Sequence, residues 1–261
     1  MAAARIAVVT GANRGLGRNV AKRLSEEGYS VIAVCRRLKD AQDAVRDGIA
    51  TQPACLDAGR CISETRAAVE SCTRRIVEIT DGRPLDLLVN NAGVYLDGWT
   101  RADFDQAVAV NVASPILFTQ ALAPYFSDTA RVVNVSSGYG ALDGLTSDYR
   151  ARVERANTCD EILAIGFDGE SPMGREFKPT YKITKAMLNR WTRRSADSDA
   201  ENLAGIPHAA VCPGWCRTRM GGESATRSAS EGAASILAPV FAEDRHTYAG
   251  TITRDGDIIS W

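Results

Sequence analysis

The chain has 261 residues, of which 45% are hydrophobic and 24% charged, with a formal net charge of −1. That length suits one large α/β domain that buries enough surface to need no staples. The near-neutral balance excludes a basic nucleic-acid surface and a polybasic membrane anchor.

Short apolar runs alternate with helix-length segments. The first run, Ile6–Thr10, is continuously apolar, as a strand buried on both faces should be. It leads into Thr10-Gly11-Ala12-Asn13-Arg14-Gly15-Leu16-Gly17, which opens a helix over Gly15–Glu27. Glycines at that place let the backbone turn tightly and approach a pyrophosphate, which the helix N-terminus then favours. A second strand, Val31–Cys35, ends on Arg36 and Arg37. An acidic residue there would hold ribose hydroxyls, whereas guanidiniums suit a 2′-phosphate. Together with Arg14 they favour NADP(H) over NAD, with one of Arg36 and Arg37 expected to be a solvated surface charge. A weaker strand near Ala50–Leu56 closes on Leu56 and Asp57. Asp57 is read either as an acceptor for an adenine amino group or as an N-cap for the segment from Ala58.

A helix over Arg60–Thr80 leads to a strand over Leu85–Asn90, then Asn90-Asn91-Ala92-Gly93. Small residues there let the chain pass close to a ligand. The next helix, Phe104–Tyr125, carries Asn111 inside its apolar pattern, where a buried amide needs partners. A strand over Val132–Ser136 ends at Ser137, on the side where ligands enter such sheets. From about 138 to 178 the rhythm breaks. A partly helical insertion is expected, with short helices at Tyr149–Ala156 and Asp160–Ile165, because a structureless loop of that length is unusual. A helix over Thr180–Arg194 places Tyr181 and Lys185 on one face. A nearby ammonium lowers a phenol's pKa and makes it a usable acid–base group. A strand over Ala209–Cys212 precedes Pro213-Gly214-Trp215-Cys216-Arg217-Thr218, expected to close over a nicotinamide, with Trp215 lining the pocket or buried in the core. A helix over Ser230–Val240 and a strand over Gly250–Thr253 follow. The predicted fold is a doubly wound parallel sheet of Rossmann type, with residues 1–261 as a single NAD(P)-binding domain.

The cysteines at 35, 55, 61, 72, 159, 212 and 216 form no CxxC pair, and only His208 and His246 could join them. No metal site is expected, and the thiols read as reduced. With no signal-peptide layout and no apolar run of membrane-spanning length, the expectation is a cytoplasmic protein with no membrane or nucleic-acid partner.

The set Thr10–Gly17, Asn90–Gly93, Asn111, Ser137, Tyr181 with Lys185, and Pro213–Thr218 resembles the short-chain dehydrogenase/reductase family, in family order. The Gly-Ala-Asn-Arg-Gly-Leu-Gly loop, the Pro-Gly-Trp segment, the long gap before Tyr181 and the ending Asp257–Trp261 are most like its monomeric carbonyl reductase and menthone/salutaridine reductase branch. The resemblance implies a monomer. It also implies that Tyr181 exchanges a proton with a carbonyl or alcohol oxygen, that Lys185 holds the nicotinamide ribose and lowers the Tyr181 pKa, that Ser137 positions the substrate oxygen, and that Asn111 anchors a water. Arg219 departs from the acidic residue common there, so the substrate stays open, with Trp99, Tyr139, Trp215, Met220 and the insertion expected to decide it. The reading is an NADPH-dependent reductase of a small ketone, aldehyde or quinone. A non-catalytic NADP-binding regulator or scaffold and an oxidative alcohol dehydrogenase are the alternatives. Retention of Asn111, Ser137, Tyr181 and Lys185 favours an enzyme.

Overall fold

Successive residues of a strand face opposite sides of a sheet, and here both sides are covered. In Ile6–Thr10 (β1), Ala7 and Val9 join one core while Ile6 and Val8 join another. That is why this strand reads as an unbroken apolar run rather than an alternating one. The computed structural model describes residues 3–171, 178–196, 203 and 205–261.

The elements follow in chain order as α1 (Gly15–Glu26), β2 (Ser30–Cys35), α2 (Leu38–Arg46), β3 (Gln52–Cys55), α3 (Ile62–Thr80), β4 (Leu85–Asn90), α4 (Arg101–Val108) and α5 (Ser114–Leu122). Then come β5 (Phe126–Val135), α6 (Ser147–Arg155), α7 (Cys159–Leu163), α8 (Pro179–Arg194), β6 (His208–Val211), α9 (Ala229–Phe241), β7 (Ile252–Arg254) and β8 (Asp257–Ile258). The strands form an eight-stranded sheet ordered β3-β2-β1-β4-β5-β6-β7-β8. All neighbours pair in parallel except β7 and β8. This is the doubly wound sheet that the sequence predicts. On one face Val20, Leu24, Ile236 and Leu237 from α1 and α9 cover Ala7, Val31 and Val211. On the other, Val69 and Ile76 of α3 with Leu117 and Phe118 of α5 cover Val8, Ile32 and Leu88.

Several elements differ from expectation. The helix α2 was not predicted, because Ala41 and Ala44 are its buried residues and leave no wide apolar stripe. The strand β5 begins at Phe126 rather than Val132, and β8 is too short to show a pattern. The segment expected as one helix, Phe104–Tyr125, instead runs as α4, a π-helical stretch over Ala109–Ala113, α5 and a 3-10 turn over Ala123–Tyr125. Joined end to end, Arg101–Tyr125 is long and apolar enough to cross a membrane by length and composition, with a mean hydropathy of 1.4. This corrects the expectation that no such run exists, yet 72% of its apolar window is buried inside the molecule, as in a core helix.

The insertion is partly helical, as expected. It starts with 3-10 turns at Gly138–Gly140 and Leu142–Gly144, then forms α6 and α7. A capping box of Thr158 and Glu161 starts α7. Residues 172–177 of the insertion lie outside the described residues. Arg190 of α8 anchors α6 by donating to the Ala156 carbonyl at 2.8 Å and to Asn157 Oδ1 at 2.9 Å. Leu142, Tyr149, Val153 and Ile162 pack against Ile183, Met187 and Trp191 of α8 in a third core.

Candidate active site

The strand order reverses between β1 and β4, and ligands enter open α/β sheets at the C-terminal ends of strands flanking such a point. Gly11 and Gly15 there have φ of +67° and +53°, left-handed conformations that other residues rarely adopt. Gly17 serves close approach instead. A Cβ on it would stand 2.3 Å from the Gly11 carbonyl oxygen and 2.4 Å from Asn91 Nδ2. Asn91 Nδ2 donates to the Thr10 carbonyl at 2.7 Å, and the Asn91 and Ala92 N–H groups donate to Thr10 Oγ1 at 2.9 Å. The end of β4 is thereby tied to the glycine turn. The N-cap of α1 is Arg14, whose side chain makes no capping bond, so the helix presents its first N–H groups as an anion site would require. Leu16 packs partly buried on the core and supports the loop from beneath. Backbone N–H groups of Asn13 and Ala12 reach the Cys35 thiol, which burial nonetheless pushes up to about 11.

Positive charge gathers beside this turn. Partial burial, then the neighbouring charges of Arg219 and Arg36, hold the Arg14 guanidinium below its usual range. Three guanidiniums thus share one patch. Arg37 is committed elsewhere, because its Nε and Nη2 grip Asp40 at 2.9 and 2.8 Å. Both Arg36 and Arg37 are exposed. Asp57 lies just past β3 behind the buried Leu56. It accepts from the Gly59 N–H at 3.2 Å but does not cap a helix, because α3 begins only at Ile62 with Cys61 as N-cap. The N-cap reading of Asp57 is therefore corrected: Glu64 instead accepts from the Arg60 N–H at 2.7 Å and braces the turn.

Across the reversal point, α8 sets Tyr181 and Lys185 one turn apart, with Lys185 Nζ 5.7 Å from the Tyr181 ring centre. Lys185 is buried and donates to the Val135 carbonyl at 2.8 Å. The Ser137 side chain pulls against the upward shift of the Tyr181 hydroxyl, and its own hydroxyl accepts from the Tyr139 N–H at 3.1 Å. Asn111 sits in the π-helical stretch. Its Oδ1 accepts from the Val94 N–H at 2.9 Å, and its Nδ2 donates to the Val94 carbonyl at 3.0 Å and to Thr184 Oγ1 at 3.1 Å. The side chain is a strut between the loop after β4 and α8. Gly93 lies beneath it, where a Cβ would be 3.3 Å from Asn111 Oδ1 and 3.9 Å from Lys185 Nζ.

Burial pushes the Tyr181 hydroxyl up to about 12, against a downward pull from Ser137. Burial likewise lowers the Lys185 ammonium to about 8. Both groups are costly to charge in a low-dielectric setting, so each is driven toward its neutral form. Tyr181 therefore holds its proton at neutral pH.

Sequence reasoning missed Tyr95 beside Tyr181, while Tyr139 was among the residues expected at the pocket. The Tyr95 ring centre lies 5.1 Å from that of Tyr181, and Tyr139 lies 6.5 Å away on another side. Lys178 Nζ stands 5.0 Å from the ring centres of both Tyr95 and Tyr139. Tyr95's position just beyond Gly93, at the end of β4, was the available signal. Trp99 is not beside Tyr181; it packs within 5.0–5.8 Å of Phe104, Tyr149 and Phe167 under the insertion. Trp215 and Met220 are about half exposed, which excludes the core reading of Trp215.

The segment after β6 closes on the glycine turn. Gly214 has φ +78°, Cys216 is buried with its thiol on the Pro213 carbonyl at 3.2 Å, and Thr218 accepts from the Gly221 N–H at 3.2 Å. A Cβ on Gly15 would lie 3.3 Å from Thr218 Cγ2, so the two loops touch. Among the described residues, no group of three or more His, Cys, Asp or Glu side chains is placed to hold a metal.

With this geometry in hand, known proteins can be set beside it. A family model described as short chain dehydrogenase matches residues 5–149. Carbonyl reductase [NADPH] 1 of Macaca fascicularis is 30% identical over 271 residues, covering 93% of this chain and 94% of the relative. A (+)-neomenthol dehydrogenase of Arabidopsis thaliana is 26% identical over 284 residues, covering 94% of each. The crystal structure of NADPH-bound carbonyl reductase from chicken fatty liver superposes with a TM-score of 0.75 at 23% identity, over the whole of both chains.

Proposed function

We propose, for a chain that belongs to the short-chain dehydrogenase/reductase family, the NADPH-dependent reduction of a small ketone, aldehyde or quinone with Tyr181 as proton donor. The observation that carries this reading is the placing of Tyr181 and Lys185 one helical turn apart beside Ser137, with Lys185 Nζ 5.7 Å from the Tyr181 ring centre.

The residues present fit a dinucleotide. Gly11, Gly15 and Gly17 keep open a cradle that a side chain at Gly17 would fill. The helix N-terminus behind them suits a pyrophosphate. Arg14 and Arg36 suit a 2′-phosphate, and Arg219 adds a third charge to the same patch. No acidic residue ends β2 to hold free ribose hydroxyls. Relatives named as NADPH-dependent agree with that choice. Leu56, Asp57 and Asn91 to Gly93 would line the adenine and central stretches. Pro213 to Cys216 and Thr218 would close over the nicotinamide. That ring supplies the hydride when bound.

The chain's own residues do the rest. Ser137 donates to the substrate oxygen and fixes it beside the Tyr181 hydroxyl. Tyr181 gives its proton to that oxygen as negative charge develops. Lys185 holds a positive charge near the resulting phenolate, which stabilises it more as charge forms than before. Asn111 keeps Thr184 and the turn of α8 bearing Lys185 in register. The exposed Trp215 and Met220, with Tyr95 and Tyr139, give the substrate aromatic and thioether walls suited to a flat or apolar carbonyl compound.

The test is consumption of NADPH against a panel of ketones, aldehydes and quinones, with NADH in parallel, for the native chain and for Tyr181→Phe. Loss of a general acid lowers turnover about 10²- to 10⁴-fold, with NADPH binding by fluorescence unchanged. Full turnover in Tyr181→Phe would end the mechanism. Binding of NADPH with no turnover of any carbonyl by the native chain would point to the regulatory reading.

A further inference from the structure

The loop that follows β6 is held by a device at the far end of the chain. Between Pro213 and Ser228 the backbone leaves the sheet and returns to α9. It is stitched to itself by the Arg217 N–H to the Arg227 carbonyl at 2.7 Å and the Arg227 N–H to the Trp215 carbonyl at 3.0 Å. Trp215 Nε1 donates to the Gly221 carbonyl at 2.8 Å, and Arg217 Nη1 to the Ala225 carbonyl at 3.0 Å. At the base of the loop, Arg227 Nη1 and Nη2 grip Asp255 at 2.7 and 2.6 Å. Asp255 lies at φ +55° in the tight turn between β7 and β8, and its N–H donates to Ser235 Oγ of α9 at 2.8 Å. The Arg227 stem runs against Gly214, where a Cβ would be 2.6 Å from the Arg227 Cδ. Next to Asp255 in the turn, Arg254 Nη2 donates to Cys212 Sγ at 3.1 Å and lies 3.0 Å from where a Gly138 Cβ would be. The β7–β8 turn is thus fixed to the loop base, to α9 and to the end of β6. From Gly214 the loop carries that position outward to Thr218, which rests on Gly15.

We propose that Arg227 and Asp255 are positioning residues that hold the 213–222 loop closed against the glycine turn before the cofactor arrives. The inference rests on the cofactor reading given above. A loop ordered in advance needs no ordering at the moment of binding, so the pair acts on cofactor affinity. A bidentate guanidinium–carboxylate grip fixes direction as well as distance, which a single ammonium contact does not. The side chains are 23% and 49% exposed, so the pair is open to screening by salt.

The test uses the full chain with Arg227→Met, Asp255→Asn, the double variant and Arg227→Lys. NADPH affinity, read by fluorescence, should weaken about tenfold in each single variant. The double variant should be no weaker than either single, because one interaction is lost once. The Michaelis constant for NADPH should rise with it, while kcat and the melting temperature stay near those of the native chain. Arg227→Lys should recover only part of the loss. The native advantage should shrink in high salt. Separately, with no cofactor present, trypsin should cut after Arg217 and Arg219 faster in both single variants than in the native chain. Native-like affinity in both variants, losses that add in the double variant, or an affinity loss that comes with an equal fall in kcat and melting temperature would each overturn the proposal. If the native chain does not bind NADPH, the cofactor reading fails, and the trypsin comparison alone decides whether the clamp exists.

Discussion

Where β1 meets β4, the site is made of main chain: Gly11, Gly15 and Gly17 let backbone approach backbone, and Asn91 reaches back to the Thr10 carbonyl. Where β5 meets α8, buried side chains do the joining. Asn90 donates to Thr119 and Asn134, Asn134 to Thr192, and Ser136 to Asn189, which in turn reaches the Gly140 carbonyl. The first region fixes its shape by excluding Cβ atoms. The second fixes it by satisfying buried polar groups, a network that rewards completeness and penalises any gap. The contrast matches the two tasks. Phosphates are bound by N–H groups and shape, so bare backbone suffices. Proton transfer needs side-chain groups of chosen acidity, and those must be buried and held.

The largest expected effect tests the side-chain half. Lys185 has a lowered proton affinity of about 8 when folded, against an ordinary 10.5. Between those values the unfolded chain binds the more protons, so stability should rise with pH across that window. Below it, the buried ammonium costs about 3 kcal/mol at 1.4 kcal/mol per pKa unit, less the bond to Val135. Lys185→Met should therefore be inactive yet more stable than the native chain by about 2 kcal/mol at neutral pH. That gap should narrow toward pH 10. Tyr181, pushed up to about 12, loses stability only above its ordinary 10 and does so in both proteins. Chemical denaturation at the two pH values decides it; a gap that widens with pH would reverse the sign and dissolve the contrast.

The main-chain half is tested by a single methyl. Gly17→Ala sets a Cβ 2.3 Å from the Gly11 carbonyl oxygen, so the turn must open. A loss of about 2 kcal/mol is expected, as for other overpacked sites, along with NADPH binding. Normal binding and stability would show that the turn has room and that its glycines serve conformation only. The smallest effect separates the two arginines after β2. Arg36→Ala should raise the Michaelis constant for NADPH far more than that for NADH. Arg37→Ala should leave both nearly unmoved, because Arg37 is spent on Asp40. Equal losses for both cofactors in Arg36→Ala would remove the 2′-phosphate role.

The same contrast explains what could be read from the residues alone. The sheet was legible because strands buried on two faces leave continuous apolar runs. The glycine turn was legible because few other residues can adopt its backbone. Tyr181, Lys185, Ser137 and Asn111 were legible as a spaced set, but not their electrostatics. The burial that raises Tyr181 and lowers Lys185 comes from the packing of α8 under the insertion, which no local spacing encodes. Tyr95 escaped notice because it reaches Tyr181 from the loop after β4. The Asp57 cap was misplaced because four residues, Ala58 to Cys61, intervene before α3. The ring neighbours of Trp99, Tyr149 and Phe167, arrive from the insertion and could not be read from its own segment.

The π-helical stretch over Ala109–Ala113 has an effect on rotational phase. An α-helix turns about 100° per residue, and a π turn takes in one residue more than an α turn. Before the stretch, Phe104 and Val108 face the core shared with the insertion and α8. Beyond it, Ile116 still faces that core, while Leu117, Phe118 and Leu122 face α3 and the sheet. The surplus residue works like an offset tooth in a gear train, letting one rod mesh with two cores at different angles. Remove one residue there and the π turn can close to an ordinary α turn, shifting Asn111 from the place where it reaches Val94 and Thr184. The extra residue of this stretch thus decides where that amide stands between the two cores.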